Sequence, residues 1–138
     1  MFGKLIFVLV DDEHTNQRHM INFLNELFPD NQVKVFETGE EAIEYLLSPA
    51  SHYDLVILDG HLKPSSHKTK QIDGPDVAAA LKKNRISVPV VLWTNDPNML
   101  ERFDEVYGER LAEMEKPCRK TNIEVILKPI VNSILLAK

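Results

Sequence analysis

The sequence is poor in cysteine, glycine and tryptophan: one cysteine, five glycines and one tryptophan occur among 138 residues. Because the single cysteine, Cys118, cannot form an internal disulfide, a fold built on disulfides is excluded. The apolar segment 1–10 is too short to span a membrane, and the acidic residues directly after it do not fit a signal peptide. We therefore expect a protein of the reducing cytoplasm with no membrane segment.

Glycine-rich phosphate-binding loops are also missing. The chain has neither G-x-x-x-x-G-K-[ST] nor G-x-G-x-x-G, the loops with which many nucleotide-binding proteins hold phosphates. Positive charge is not in excess, since the formal net charge is -5, and this argues against nucleic-acid binding. The length and the hydrophobic fraction of 43% are sufficient for a full core, and no linker or repeat divides the chain. We predict one domain, residues 1–138.

Apolar runs typical of buried strands alternate with stretches that have apolar residues at helical spacing. Strands are predicted at residues 4–10, 32–36, 53–58, 88–93 and 123–127. Helices are predicted at 14–28, 38–47, from about 75, from 97 to about 115, and at 130–136 after Pro129. This alternation predicts an α/β fold, a single five-stranded parallel sheet with helices on both faces. Periodicity does not reveal the strand order.

Carboxylates follow two of the predicted strands. Asp11 and Asp12 end the first strand, and Asp59 ends the third. Because parallel strands open on one edge of a sheet, where ligands of such folds bind, we expect the three side chains to share one crevice. Neighbouring carboxylates repel one another unless a cation neutralises them, and oxygen ligands select Mg²⁺ rather than zinc or copper. The sequence thus predicts a magnesium site.

Two further polar groups follow the remaining strands: Thr94 after the fourth and Lys128 after the fifth. A carboxylate nucleophile, a hydroxyl and an ammonium group near Mg²⁺ are the parts that phosphoryl transfer needs. Each residue alone has an ordinary explanation, such as a helix cap, a turn or a surface charge. Their joint occurrence at successive strand ends favours phosphoryl transfer, with Asp59 as the nucleophile.

These residues resemble the motifs of the response-regulator receiver domains of bacterial two-component signalling. Segments 7–13 and 54–59 resemble the acidic first strand and the strand with the phosphorylated aspartate. Asp73-Gly74 resembles the turn before the third helix, Thr94 the switch hydroxyl, and Lys128-Pro129 the Lys-Pro pair that follows the last strand. The resemblance spans nearly the whole chain and implies a flavodoxin-like sheet of order 2-1-3-4-5.

The resemblance also implies a role for each site residue. Asp12 and Asp59 would bind Mg²⁺ directly, Asp11 would bind it through water, and the backbone carbonyl of His61 would complete the protein ligands. Asp59 would become an aspartyl phosphate. Thr94 and Lys128 would bind the phosphoryl group and switch the conformation.

The same likeness implies partners rather than substrates. A sensor histidine kinase or a histidine phosphotransfer protein would donate the phosphoryl group. A downstream protein or a second copy of the chain would bind the face formed by helix 4, strand 5 and helix 5. The protein would be a signalling domain and not an enzyme, apart from its own phosphorylation and dephosphorylation.

Some positions depart from the family pattern. Val125 stands three residues before Lys128, where the family has an aromatic switch residue, so the coupling to Thr94 must differ. Asn95 follows Thr94, where a small residue is common. We hypothesise that Asn95 narrows access to Asp59 or holds a water, and so changes the phosphoryl lifetime. The loop 61–72 is longer than usual and basic, which suggests a lid or a docking element for the phosphodonor, or a mobile segment.

Two other functions stay open. Haloacid-dehalogenase-type phosphatases use similar groups, but their nucleophile comes first within Asp-x-Asp, whereas here the acidic pair comes first and His61 stands two places after Asp59. A receiver-like binding module that works without phosphorylation is the second alternative. The changed positions Asn95 and Val125 favour it, and the complete set of site residues argues against it.

Overall fold

The computed structural model describes residues 5–62, 71–108, 112–114, 116 and 120–137. Five strands and five helices alternate along these residues. The strands are β1 (Ile6–Val10), β2 (Gln32–Phe36), β3 (Leu55–Asp59), β4 (Val90–Trp93) and β5 (Ala112–Met114). The helices are α1 (His14–Leu27), α2 (Gly39–Leu47), α3 (Gly74–Lys83), α4 (Pro97–Tyr107) and α5 (Lys120–Leu136). Within the described part of the chain, no helix has both the length and the apolar character needed to cross a membrane.

All strands pair in parallel, in the order β2-β1-β3-β4-β5. The predicted fold class and strand order are therefore confirmed. The register pairs Val10 with Leu58 and Asp59 with Trp93, so β1, β3 and β4 end at nearly the same level. This common end, which we call the carboxyl edge, is where side chains from several strands can meet.

Two apolar cores cover the two faces of the sheet. Phe7 and Leu9 of β1 pack with residues of α1 and α5, whereas Val8 and Val10 pack with residues of α2, α3 and α4. Successive residues of a strand point to opposite faces, so a strand that is covered on both sides reads as a continuous apolar run. This is why β1 and β3 could be identified from sequence.

The end of the chain differs from the prediction. The predicted fourth helix, which extended to about residue 115, instead ends at Tyr107, because Gly108 adopts a left-handed conformation with φ of 87°. The predicted strand at 123–127 is wrong, since these residues belong to α5. In α5, Ile123, Leu127 and Val131 are buried four residues apart, which is helical periodicity. The fifth strand is the short segment 112–114.

The start of α3 lies directly against the end of β3. The backbone N–H of Gly74 donates to the carbonyl of Gly60 at 2.8 Å. A Cβ atom on Gly74 would stand 2.1 Å from the backbone oxygen of Asp59, which is closer than any real contact. Glycine at position 74 therefore allows the helix to begin beside Asp59.

This contact predicts that Gly74→Ala destabilises the fold by about 2 kcal/mol, because the added methyl group can be accommodated only by moving the backbone. Gly60→Ala is the matched comparison: its Cβ would come to 2.9 Å from Met99 Cβ, Met99 Cγ and Thr94 Oγ1, which is a milder overlap than 2.1 Å from a backbone oxygen. Urea unfolding should give the larger loss of free energy for Gly74→Ala. An equal or smaller loss than for Gly60→Ala would contradict the prediction.

Candidate functional site

Three carboxylates meet at the carboxyl edge. Asp11 and Asp12 come from the end of β1 and Asp59 from the end of β3, and one oxygen of each lies within 4.8 Å of the others. Asp11 and Asp59 are buried, and Asp12 is half-buried. The structure thus brings together the three residues that the sequence placed in one crevice.

Lys116 supplies the ammonium group of this cluster. Its Nζ lies 2.8 Å from Asp11 Oδ2, 3.0 Å from Asp59 Oδ1 and 4.5 Å from the ring centroid of Trp93. When all three carboxylates are ionised, one ammonium leaves the cluster with two excess negative charges. A divalent cation would neutralise them, and the oxygen donors match the preference of Mg²⁺.

Asp11 makes hydrogen bonds to the protein through both its carboxylate and its backbone. Its Oδ1 accepts from the backbone N–H of Glu13 at 2.8 Å, and its Oδ2 accepts from Lys116. Its own N–H donates to Phe36 O at 3.0 Å, and its carbonyl accepts from Gln17 Nε2 at 2.6 Å. Since both of its carboxylate oxygens already have protein donors, Asp11 suits a water-mediated metal contact better than a direct one.

Asp59 lies where a negative charge is unfavourable. Burial is the main cause that raises its pKa to about 6, and the charges of Asp11 and Asp12 raise it as well. Lys116 opposes this rise through its charge and its hydrogen bond. At pH 7 Asp59 is thus mostly ionised but more basic than an ordinary aspartate, and its charge costs stability.

A cavity of about 500 Å³ opens above the acidic cluster. Thr94 lies at this cavity, is buried, and accepts the backbone N–H of Asp96 on Oγ1 at 3.2 Å. His61 lies at the cavity too, with Nε2 2.5 Å from Asp96 Oδ2. This contact lowers the pKa of Asp96. The cavity is lined by Asp12, Glu13, Asn16, Asp59, His61, Thr94, Asn95, Asp96 and Lys116.

Lys128 is not part of the cluster, so its predicted position beside Asp59 is wrong. It lies on α5, where its side chain is 61% exposed and its Nζ is 3.9 Å from Glu124 Oε1. The sequence contains two Lys-Pro pairs, at 116–117 and 128–129. The pair at 128–129 follows the apolar run 123–127, whose composition is typical of a strand, and this resemblance to a strand end is the basis for the prediction of Lys128. Gly108 is the sequence signal that favours Lys116. A glycine often ends a helix, and an α4 that ends at this position leaves room for a short strand just before Lys116.

The assignment of Val125 as the switch position depended on Lys128 and is corrected with it. Val125 lies on α5 and is 73% exposed. The residue three places before Lys116 is Glu113, an exposed residue of β5. An acidic side chain therefore stands where the resemblance led us to expect an aromatic one.

Asn95 does not point its amide at Asp59. Its Oδ1 accepts the backbone N–H of Lys116 at 2.9 Å, and its Nδ2 donates to the carbonyl of Lys116. Both ends of the amide are thus engaged by one residue. The hypothesised change of phosphoryl lifetime stays a prediction, with this contact in place of a held water as its basis.

The basic loop lies mostly outside the described residues. Its residues 63–70, which contain Lys63, His67, Lys68 and Lys70, are not described, so the hypothesis of a basic lid stays a prediction. The described end of the loop is anchored at α3. Gln71 Nε2 donates to Asp73 Oδ1 at 2.9 Å, and Arg102 Nη1 of α4 donates to Asp73 Oδ2 at 3.2 Å.

Comparisons with known proteins relate the chain to one family of domains. A family model described as the response regulator receiver domain matches residues 7–128. None of the curated proteins compared with the chain matches its sequence.

Several solved structures share the fold. A CheY-like receiver domain protein from Methanospirillum hungatei JF-1 is similar with a TM-score of 0.77 and 16% identity, over 99% of this chain and 100% of that one. The signal receiver domain of a modulated diguanylate cyclase from Desulfovibrio desulfuricans G20 has a TM-score of 0.75 and 20% identity, over 99% and 100%. The receiver domain of a sensor histidine kinase from Pseudomonas aeruginosa PAO1, with magnesium in its active-site cleft, has a TM-score of 0.75 and 19% identity, over 94% and 99%.

Proposed function

Because the chain belongs to the response regulator receiver domain family, we propose that it accepts a phosphoryl group on Asp59 and thereby controls a partner protein. The observation that carries the proposal is the cluster of Asp59 with Asp11, Asp12 and Lys116 at the carboxyl edge. The donor would be the phosphohistidine of a sensor histidine kinase or of a histidine phosphotransfer protein. The protein would then be a cytoplasmic signalling domain, one receiver over residues 1–138, rather than an enzyme that turns over a substrate.

Mg²⁺ is the cofactor that the cluster fits. Asp12 and Asp59 would bind it directly, Asp11 would bind it through water, and the backbone carbonyl of His61 would add a neutral oxygen. The bound ion would neutralise charge on the transferred phosphoryl oxygens. The magnesium ion in the cleft of the sensor-kinase receiver domain supports this assignment.

Transfer itself requires only positioning and charge compensation. A carboxylate oxygen of Asp59 attacks phosphorus, the new O–P bond forms, and the P–N bond of the phosphohistidine breaks. The electron pair of that bond stays on the imidazole nitrogen, which then takes up a proton. Lys116 exchanges its contact with Asp59 for a contact with a phosphoryl oxygen, which is the role first assigned to Lys128.

The conformational change that would alter partner binding begins at Thr94 and the helix after it, α4. A phosphoryl group on Asp59 adds acceptor oxygens at the cavity, and the Thr94 hydroxyl can donate to one of them. Thr94 Oγ1 now accepts the N–H of Asp96, the N-cap residue of α4, so its movement would disturb the start of α4. The face of α4, β5 and α5 would then bind the downstream protein or a second copy of the chain.

Incubation with acetyl phosphate and Mg²⁺, followed by intact mass measurement, tests the proposal. The wild type should gain the mass of one phosphoryl group, and removal of Mg²⁺ with a chelator should suppress the gain. Asp59→Asn should gain nothing, whereas Asp30→Asn, at an exposed turn, should behave as the wild type. A wild type that takes up no phosphoryl group would contradict the proposal and favour the phosphorylation-independent binding module.

A further inference from the structure

Asn95, just after the end of β4, binds Lys116, just after the end of β5. The ladder between β4 and β5 ends with the pair Trp93–Met114, followed by a hydrogen bond of 3.1 Å from Thr94 N–H to Met114 O. Among the described residues, the strand pairing stops at Met114. The side-chain amide of Asn95 takes its place and binds both the N–H and the carbonyl of Lys116.

This double contact depends on the chemistry of an amide. A carboxamide presents one acceptor and one donor side by side, as a neighbouring strand does. The opposite orientation of the amide would set donor against donor and acceptor against acceptor, so Lys116 fixes how Asn95 lies. A small residue at position 95 would leave the backbone of Lys116 without these two bonds.

The ammonium end of Lys116 is held separately. Its Nζ lies over the ring of Trp93 and contacts Asp11 and Asp59. Trp93 and Asn95 are the two chain neighbours of Thr94, so one tripeptide binds both ends of Lys116. In the structure the cation–π contact and the two ion pairs form together while the backbone of Lys116 is held by Asn95.

We infer that Asn95 is a positioning residue for phosphoryl transfer: it fixes the backbone of Lys116 and so holds the Lys116 ammonium between Asp11 and Asp59. The inference rests on the proposed function, but its first consequence is measurable in the unphosphorylated protein. The same contact connects the segment after Thr94 to Lys116, so a shift of Thr94 toward a phosphoryl group must carry Lys116 with it or break the amide pair.

Selective acylation of lysine amines with a limiting succinimidyl ester tests the inference. Lys116 is shielded, with a side chain 19% exposed, whereas Lys128 is 61% exposed and serves as the internal reference. In Asn95→Ala the acylation of Lys116 relative to Lys128 should rise about fivefold to tenfold, as expected for the loss of two hydrogen bonds. Peptide mass analysis gives the ratio.

Two further readouts separate positioning from general structure. Trp93 is the only tryptophan, so its emission reports on the ammonium above its ring. Asn95→Ala should shift this emission toward that of Lys116→Met, and should slow phosphorylation by acetyl phosphate about tenfold. Asn95→Leu, which keeps the bulk but not the hydrogen bonds, should behave as Asn95→Ala, whereas Asn98→Ala on an exposed site of α4 should match the wild type.

Unchanged Lys116 acylation and Trp93 emission in Asn95→Ala would overturn the inference, even if phosphorylation slowed. Wild-type behaviour of Asn95→Leu would overturn it too, because bulk alone would then suffice. If Asn95→Leu does not fold, Asn95→Ala decides. Failure of the wild type to take up a phosphoryl group would instead overturn the proposed function, and the acylation ratio would still judge the role of Asn95.

Discussion

Lys116→Met is expected to slow phosphorylation of Asp59 by acetyl phosphate by a factor of about 100 or more, whereas Lys128→Met leaves the rate unchanged. Removal of one charged group that stabilises a transition state typically costs two to three orders of magnitude. Lys116 Nζ stands 3.0 Å from Asp59, and Lys128 is an exposed residue of α5. The two variants make the same chemical change in the same local Lys-Pro context.

The time course of mass gain, at equal acetyl phosphate and Mg²⁺, provides the measurement. Methionine keeps most of the side-chain volume, so the loss of the charge is the main change. Mg²⁺ should still raise the melting temperature of Lys116→Met, because Asp12 and Asp59 remain. A slow Lys128→Met together with a normal Lys116→Met would restore the assignment first made from sequence.

The two Lys-Pro pairs show what sequence can and cannot decide. Asp11, Asp12 and Asp59 can be predicted as site residues because they stand where a continuous apolar run stops, which is a local signal. β5 has three residues and one of them is Glu113, so no periodicity marks it. The run 123–127 has strand-like composition, and its helical character shows only when Val131 is included.

The contacts around Lys116 are beyond a local pattern for a different reason. Asn95 and Lys116 are 21 positions apart, and Lys116 and Asp11 are 105 apart. Only the parallel pairing of β1, β3, β4 and β5 brings them together. The sequence therefore predicts which groups are available at the carboxyl edge, and the register decides which of them touch.

In the absence of metal, Asp59→Asn is expected to raise the free energy of unfolding by roughly 3 kcal/mol at pH 7, a gain that disappears toward pH 4. The pKa of Asp59 is about 6 in the folded protein and 3.8 in an ordinary aspartate. The folded state therefore holds a proton that the unfolded state has already released. Stability from this group is full below about pH 4 and is lost as the pH rises to about 6.

The magnitude follows from the size of the shift. A difference of about two pKa units corresponds to roughly 3 kcal/mol, since each unit is worth 1.36 kcal/mol. Asparagine resembles the neutral acid at every pH, so the stability difference between variant and wild type isolates the cost of the charge. Urea unfolding between pH 4 and pH 8 in the presence of a chelator measures it. Asp30→Asn should show a difference that does not depend on pH in this way.

Mg²⁺ should remove much of the advantage of Asp59→Asn, because a ligand that binds only the folded state stabilises it by RT ln(1 + [L]/Kd), about 2.7 kcal/mol at 100 times Kd. The wild type offers the ion three carboxylates and the variant only two. The buried charge of Asp59 is then a cost to the metal-free protein that a bound cation would compensate. A variant that is less stable than the wild type at pH 7 in chelator would show that Lys116 alone already neutralises Asp59.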